Sequence, residues 1–125
     1  MTRPLVYVAG PLTDGGRITD HAAVEANVNR ASEAGDEIER RGGSAIIPHL
    51  TYYWHRHRPH PWSWWLARDR RILARCDALF RLPGESKGAD LEERWARERG
   101  IPVFRDLLAL EGWARWWEAR RGGEP

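Results

Sequence analysis

A single cysteine, Cys76, stands in the whole chain. No internal disulfide can form, and such sparing use of cysteine fits a reducing, cytoplasmic setting. Lysine is equally scarce: of 20 lysines and arginines, Lys87 is the only lysine and the rest are arginine. That bias reads as the composition of a GC-rich or thermophilic genome. No stretch approaches the ~20 apolar residues of a membrane helix, and the N-terminal MTRPLVYVAGPL reads as the approach to a strand, not as a signal peptide. A charge excess is missing too. The 20 basic and 18 acidic residues leave +2, too little to argue for a nucleic-acid partner. With 125 residues, 42% of them apolar, no repeat and no linker, the chain reads as one domain with one core.

Tryptophan is what the chain has in excess, with eight residues. Trp54, Trp62, Trp64 and Trp65 gather beside Tyr52 and Tyr53, and Trp113, Trp116 and Trp117 gather near the C-terminus. Side chains of this size serve core or subunit-interface packing. The alternative is that one or two of the first group stack on a planar ligand.

Strand and helix signals alternate along the chain. LVYVA (5–9) reads as a buried strand that ends at Gly10-Pro11, followed by the polar, glycine-rich loop TDGGRITD (13–20). A helix is predicted over 21–41, stopped by Gly42-Gly43, and SAIIP (44–48) is the next strand. The segment HLTYYWHRHRPHP (49–61) reads as an irregular aromatic loop. A second helix is predicted from Pro61, as a first-turn residue, to Cys76. DALFRL (77–82) is a strand, PGESKG (83–88) a loop, 89–99 a third helix stopped by Gly100, and IPVF (101–104) a short strand. Residues 106–121 form a last helix, with GGEP as a frayed tail. This order implies an α/β domain with a parallel sheet of four to five strands and helices on both faces. Ligands bind such sheets at the carboxyl ends of the strands, which here carry Gly10-Pro11, Pro48-His49 and Pro83-Gly84-Glu85-Ser86.

At 100° per residue, three helices each turn one polar group inward. On the third, Ala89, Leu91, Trp95 and Ala96 form the apolar face with Glu92 in its middle, while Asp90, Glu93, Arg94 and Arg97 face away. On the second, Trp62, Trp65, Leu66, Ile72, Leu73 and Cys76 surround Asp69. On the first, Ala23, Val24, Ala31, Ala34 and Ile38 surround Asn27. Burying one carboxylate unpaired costs several kcal/mol. Two carboxylates and an amide turned inward together point to a shared polar pocket, and Tyr7, a hydroxyl in an apolar strand, joins them. A structural polar network is the alternative.

Ser86-Lys87-Gly88 stands before a helix N-terminus, where free N–H groups favour an anion and Gly88 permits close approach. The alternative is a plain cap, with Ser86 capping and Asp90 and Glu93 forming a capping box.

VYVAGPL, Asn27 among alanines, AIIPHL, Trp65 with Asp69, CDALFRLPGESKGADLEERWA and GIPVF together resemble the nucleoside 2-deoxyribosyltransferase superfamily. That group includes the 2′-deoxynucleoside 5′-phosphate N-hydrolases and small phage and bacterial relatives. The resemblance spans residues 5–104 and is most specific at Ser-x-Gly-x-x-x-Glu (86–92) and at the Asp of the second helix. It implies a Rossmann-like (flavodoxin-like) doubly wound fold, assembled as a homodimer or homotetramer. It also implies that Glu92 is the catalytic glutamate, that Asp69 sits near the leaving base or the sugar, and that Tyr7 orients the glutamate. The substrate-binding residues expected with them are Gly10, Pro11, Asn27, His49, Trp65, Ser86 and Gly88. Transferases of the group carry Asp where this chain has Ser86; the phosphate-preferring hydrolases carry Ser. The His- and Trp-rich segment 49–62 is expected to form the base pocket. The C-terminal contacts of the family have no counterpart in GWARWWEARRGGEP.

The expected chemistry is cleavage of the N-glycosidic bond of a nucleoside or its 5′-monophosphate, with Glu92 as nucleophile and Asp69 as acid or orienter. Water accepting the sugar gives hydrolysis; a second base accepting it gives transfer. No cofactor and no metal are expected, and the partner is a small nucleoside or nucleotide. Three rival readings stay open: a nucleotide sensor without turnover, a metal site drawn from His49, His55, His57 and His60, and single-strand nucleic-acid binding through Arg and Trp.

Overall fold

A computed structural model describes residues 2–13 and 17–122. The Asp14-Gly15-Gly16 part of the first loop and residues 123–125 of the expected tail lie outside the described residues. The chain runs β1 (Leu5–Ala9), α1 (His21–Arg40), β2 (Ser44–Ile46), a 3-10 turn (Pro48–Leu50), α2 (Thr51–His57), α3 (Trp62–Leu73), β3 (Ala78–Arg81), α4 (Lys87–Glu98), β4 (Val103–Phe104) and α5 (Leu107–Gly122). The four strands form one sheet in the order β2-β1-β3-β4. All three pairings are parallel. The order reverses between β1 and β3, the switch point at which doubly wound sheets open a crevice.

The period of two along each strand assigns the layers. Val6 and Val8 of β1 and Ala78 and Phe80 of β3 face one way, against Ala31, Ala34 and Ile38 of α1 and Leu110 of α5. Tyr7, Ala9 and Leu79 face the other way, against Leu73, Cys76, Ala89, Trp95 and Ala96 on the α3 and α4 side. The doubly wound α/β expectation therefore holds, with four strands. Among the described residues, no helix is long and apolar enough to cross a membrane.

Several boundaries differ from expectation. Segment 49–61 is a 3-10 turn followed by the helix α2, where an irregular loop was expected. Only Tyr52 of the seven α2 residues is buried, so no apolar stripe announces the helix. Burial of Tyr52 against Val24 and Val28 holds it to α1. Pro61 is the N-cap of α3, one residue outside the helix, and α3 ends at Leu73, before Cys76. Trp62 is 65% exposed and so lies off the apolar face assigned to it. The helix α4 starts at Lys87, two residues early, because Ser86 Oγ accepts the Ala89 N–H at 3.1 Å. Glu93 forms no capping box; its carboxylate pairs with Arg105 at 2.6 Å and Arg97 at 3.1 Å.

If Tyr52 holds α2 in place, Tyr52→Ala lowers the free energy of unfolding by about 3 kcal/mol. Tyr53→Ala, whose side chain is exposed, stays within about 0.5 kcal/mol of the parent. Urea titration followed by circular dichroism checks both.

Candidate active site

The switch point between β1 and β3 opens into a cavity of about 1110 Å³. Its walls come from the carboxyl end of β1 (Gly10, Pro11), the 3-10 turn and α2 (His49, Tyr52, His55), one face of α3 (Trp65, Asp69) and the N-terminal half of α4 with its cap (Ser86, Gly88, Glu92). Eight of the ten predicted site residues thus share one cavity. Tyr7 lies beneath it, completely buried, and its hydroxyl donates to Glu92 Oε2. Asn27 is the exception. It is buried on α1, its Nδ2 donates to the Leu12 carbonyl at 2.9 Å, and its Oδ1 accepts from Arg30. Leu12 lines the cavity and Asn27 does not, so Asn27 holds the wall from behind.

The carboxyl groups differ from surface acids because of where the backbone sends them. Glu92 sits on the inner face of α4 with 8% of its surface exposed. Burial pushes its pKa up to about 8; the Tyr7 hydrogen bond opposes that rise, nearby Asp69 adds to it and Arg81 opposes it. Asp69 is raised to about 6 by burial, with Arg68 opposing. Arg68 Nη1 lies 3.5 Å from Asp69 Oδ1, and that buried oxygen has no hydrogen-bond partner among the described residues. Tyr7 is raised well above its ordinary value by burial and by the two carboxyls, so it remains a proton donor to Glu92.

His49 contributes the opposite character. Its Nε2 lies 3.1 Å from the Gly10 carbonyl and so carries the proton. Nδ1 is then a bare acceptor, buried and without a hydrogen-bond partner among the described residues. Burial lowers its pKa, which keeps the ring neutral. A hydroxyl or N–H of a ligand would satisfy it.

Two glycines keep the opening clear. A Cβ on Gly10 would stand 2.8 Å from Leu82 Cβ, so only glycine lets β1 pass the end of β3 this closely. A Cβ on Gly88 would meet nothing nearer than Ser86 Oγ at 4.0 Å. The protein's own packing does not require glycine at 88, in contrast to Gly10, and the open space lies on the cavity side of a helix N-terminus. Ser86 uses its oxygen as the α4 cap acceptor and keeps its own hydroxyl proton to donate.

Arg81 was not expected among the site residues. It is buried at the end of β3 and clamps the β3–α4 loop from below. Nε donates to Leu82 O at 3.0 Å, Nη2 donates to Gly84 O at 2.8 Å, and Nη1 lies 3.1 Å from Asp90 Oδ1. A lone charge inside ALFRL was the available signal. His55, His60 and Trp62 of the His- and Trp-rich segment also line the cavity. Among the described residues, no three His, Cys, Asp or Glu side chains are grouped as a metal site requires.

No protein-family model matches the chain, and no curated protein matches it.

A buried acid with a raised pKa makes stability depend on pH. The native pKa of Glu92 is about 8 against an ordinary 4.5. A raised native value contributes stability that is fully present below the unfolded pKa and is lost as pH rises through the native one. Glu92→Gln keeps an acceptor for Tyr7 and cannot ionise. It is expected to unfold several degrees above the parent near pH 9 and within a degree or two of it near pH 5. Thermal unfolding at the two pH values measures the difference.

Proposed function

We propose that the chain cleaves the N-glycosidic bond of a (deoxy)nucleoside 5′-monophosphate or nucleoside, passing the sugar to water or to another base. One observation carries this reading. A buried carboxyl, Glu92, is hydrogen-bonded from beneath by Tyr7 and faces, with Asp69, a cavity large enough for a nucleotide. The same residues carry the resemblance to the nucleoside 2-deoxyribosyltransferase group.

In the proposed reaction the Glu92 carboxylate attacks C1′. The bond from C1′ to the base nitrogen breaks, and its electron pair leaves with the base, which takes a proton from Asp69. Water then adds to C1′, gives a proton back to Asp69 and releases Glu92; a second base in place of water gives transfer. The α4 N-terminus, Ser86 and the open backbone at Gly88 form a cradle suited to a 5′-phosphate. Ser86 in place of Asp favours the monophosphate over the nucleoside. A second reading, nucleotide binding without turnover, draws on the raised pKa of Glu92, which leaves most of the free protein without a ready nucleophile at neutral pH.

The subunit arrangement belongs to the same proposal. On α5, Leu110 and Ala114 are buried and Trp113 packs against Phe104. Leu108 and Trp116 are 70% and 53% exposed. Among the described residues no ring of the 113–117 group touches a ring of the 52–65 group. A packing of the two groups on each other within one chain would be the alternative to a subunit interface, and no such ring contact supports it. Apolar surface of this kind is uncommon on monomers, and we infer a homodimer or a dimer of dimers.

A panel of nucleosides and their monophosphates, scored for free base by chromatography, tests the chemistry. Glu92→Ala and Glu92→Gln are expected to fold and to release no base. The active form needs Glu92 ionised and Asp69 protonated, so kcat/KM should be bell-shaped with limbs near 6 and 8, values that belong to the coupled pair. Asp69→Asn should lower the rate about 10²-fold, abolish the alkaline decline and leave one acid rise set by Glu92 alone, moved up from near 6 toward 8. Normal turnover in either Glu92 variant, or none in the parent with nucleotide still bound, leaves the binding reading.

Light scattering at micromolar concentration tests the assembly. A mass of at least twice 14.5 kDa is expected, and a mass near 14.5 kDa rules the oligomer out.

A further inference from the structure

The wall built by α2 and the start of α3 holds a histidine that the proposed reaction leaves without a role. Trp65 Nε1 donates to His55 Nδ1 at 2.8 Å, and the His60 backbone N–H approaches the same nitrogen at 3.3 Å. An indole N–H and an amide N–H can only donate. His55 Nδ1 must therefore be the bare nitrogen, and in the neutral ring the proton resides on Nε2. None of the described residues accepts from Nε2. His55 lines the cavity, and Nε2–H is the only polar group its ring has left to offer.

The ring is also held in place. His55 stands edge-on to Trp65 with centroids 5.7 Å apart, and Trp65 stands edge-on to Trp54 and Trp64. His60 stacks on Trp64 at 3.7 Å. Trp65 precedes Asp69 by four residues on α3, so the two share one face, with Trp65 one turn nearer the helix N-terminus. A flat group leaving a carbon between Glu92 and Asp69 has this aromatic wall, with the fixed His55 donor, one turn away.

We propose that His55 is the base-reading residue of this site. Its Nε2–H donates to a ring nitrogen or carbonyl oxygen on the base of a bound nucleotide, with Trp65 and His60 fixing the donating tautomer. The inference rests on the nucleotide reading of the cavity and adds a determinant of specificity to it. Purines present N7 and N3 as bare acceptors on the edges flanking the glycosidic nitrogen, and pyrimidines present O2. When the glycosidic bond breaks, its electron pair raises the negative charge on these atoms, so the same donor favours departure of the base.

Two measurements test the proposal. Side-chain ¹⁵N–¹H correlation spectra of the free protein should show His55 protonated at Nε2 alone, and Trp65→Phe should convert it to a mixture of tautomers. A protonated Nδ1 in the parent overturns the proposal. Titration calorimetry on Glu92→Gln, which binds without turnover, supplies the second readout, using the monophosphates of the four common deoxynucleosides and the 7-deaza and 3-deaza purine analogues. Adding His55→Phe, which keeps a flat ring, should weaken the best-bound nucleotide about 10-fold, the scale of one neutral hydrogen bond. Adding His55→Gln, which keeps an N–H, should restore part of the loss. For a purine ligand, the deaza analogue lacking the atom that is read should be as weak with His55 as without it. Unchanged affinity in His55→Phe overturns the proposal while nucleotide binding stands. Binding of none of the nucleotides overturns the nucleotide reading itself, whatever the tautomer.

Discussion

The hydrogen bond between Tyr7 and Glu92 is the constraint around which the rest of the site is arranged. It joins the central strand of the sheet to the inner face of α4, 85 residues apart in sequence. A carboxyl group buried with no partner would be costly. Here the phenol satisfies it, and burial keeps its proton on. The geometry needs a residue at 7 that points to the α3–α4 side of β1, and the strand alternation supplies it. It also needs α4 to start close enough to the sheet for Glu92, one turn inside, to meet that residue. The Ser86 cap on Ala89 and the Arg81 clamp on the preceding loop set that start.

Around this bond the cavity divides into regions of different chemistry. Two carboxyl groups with raised pKa values lie on the α3 and α4 side. A bare imidazole nitrogen is supplied by His49, which is tied to Gly10. The Ser86-capped N-terminus of α4 and an open glycine form one rim, and an aromatic wall forms another. Each region would suit one part of a nucleotide: the anomeric carbon, a hydroxyl, the phosphate and the base. The correspondence is what recommends the nucleotide reading over a generic polar network, because a network built for stability would be expected to satisfy its own members. Among the described residues Asp69 Oδ1 and His49 Nδ1 are left unsatisfied, and such buried atoms are uncommon in folded proteins.

The aromatic residues have divided roles. Tyr52 anchors α2, Trp95 and Trp113 pack against the body of the fold, and Trp65 orients His55. Trp62 and Trp116 remain largely in solvent. One residue type thus serves core, site wall and unpartnered surface in a chain of 125 residues. Tryptophan suits all three because it joins a large apolar area to a single N–H.

The alternation of short apolar runs with amphipathic segments was enough to establish the parallel α/β architecture, since only one packing order suits it. The helical period was enough to pick out Glu92 and Asp69, because a carboxylate in the middle of an apolar face stands out at 100° per residue. Helix α2 was not legible. Its one buried residue, Tyr52, has meaning only against His21, Val24 and Val28 of α1, which lie more than twenty residues away. The role of Asn27 was hidden for a related reason: periodicity reports that a side chain turns inward, and only the folded chain shows that it meets the back of the Leu12 wall instead of the cavity. His55 looked like any loop histidine until Trp65 and His60 were brought against one of its nitrogens. Local pattern determines which face of an element is buried. Which groups meet there, and which nitrogen carries a proton, depends on contacts between segments distant in sequence, and those the tertiary structure alone decided.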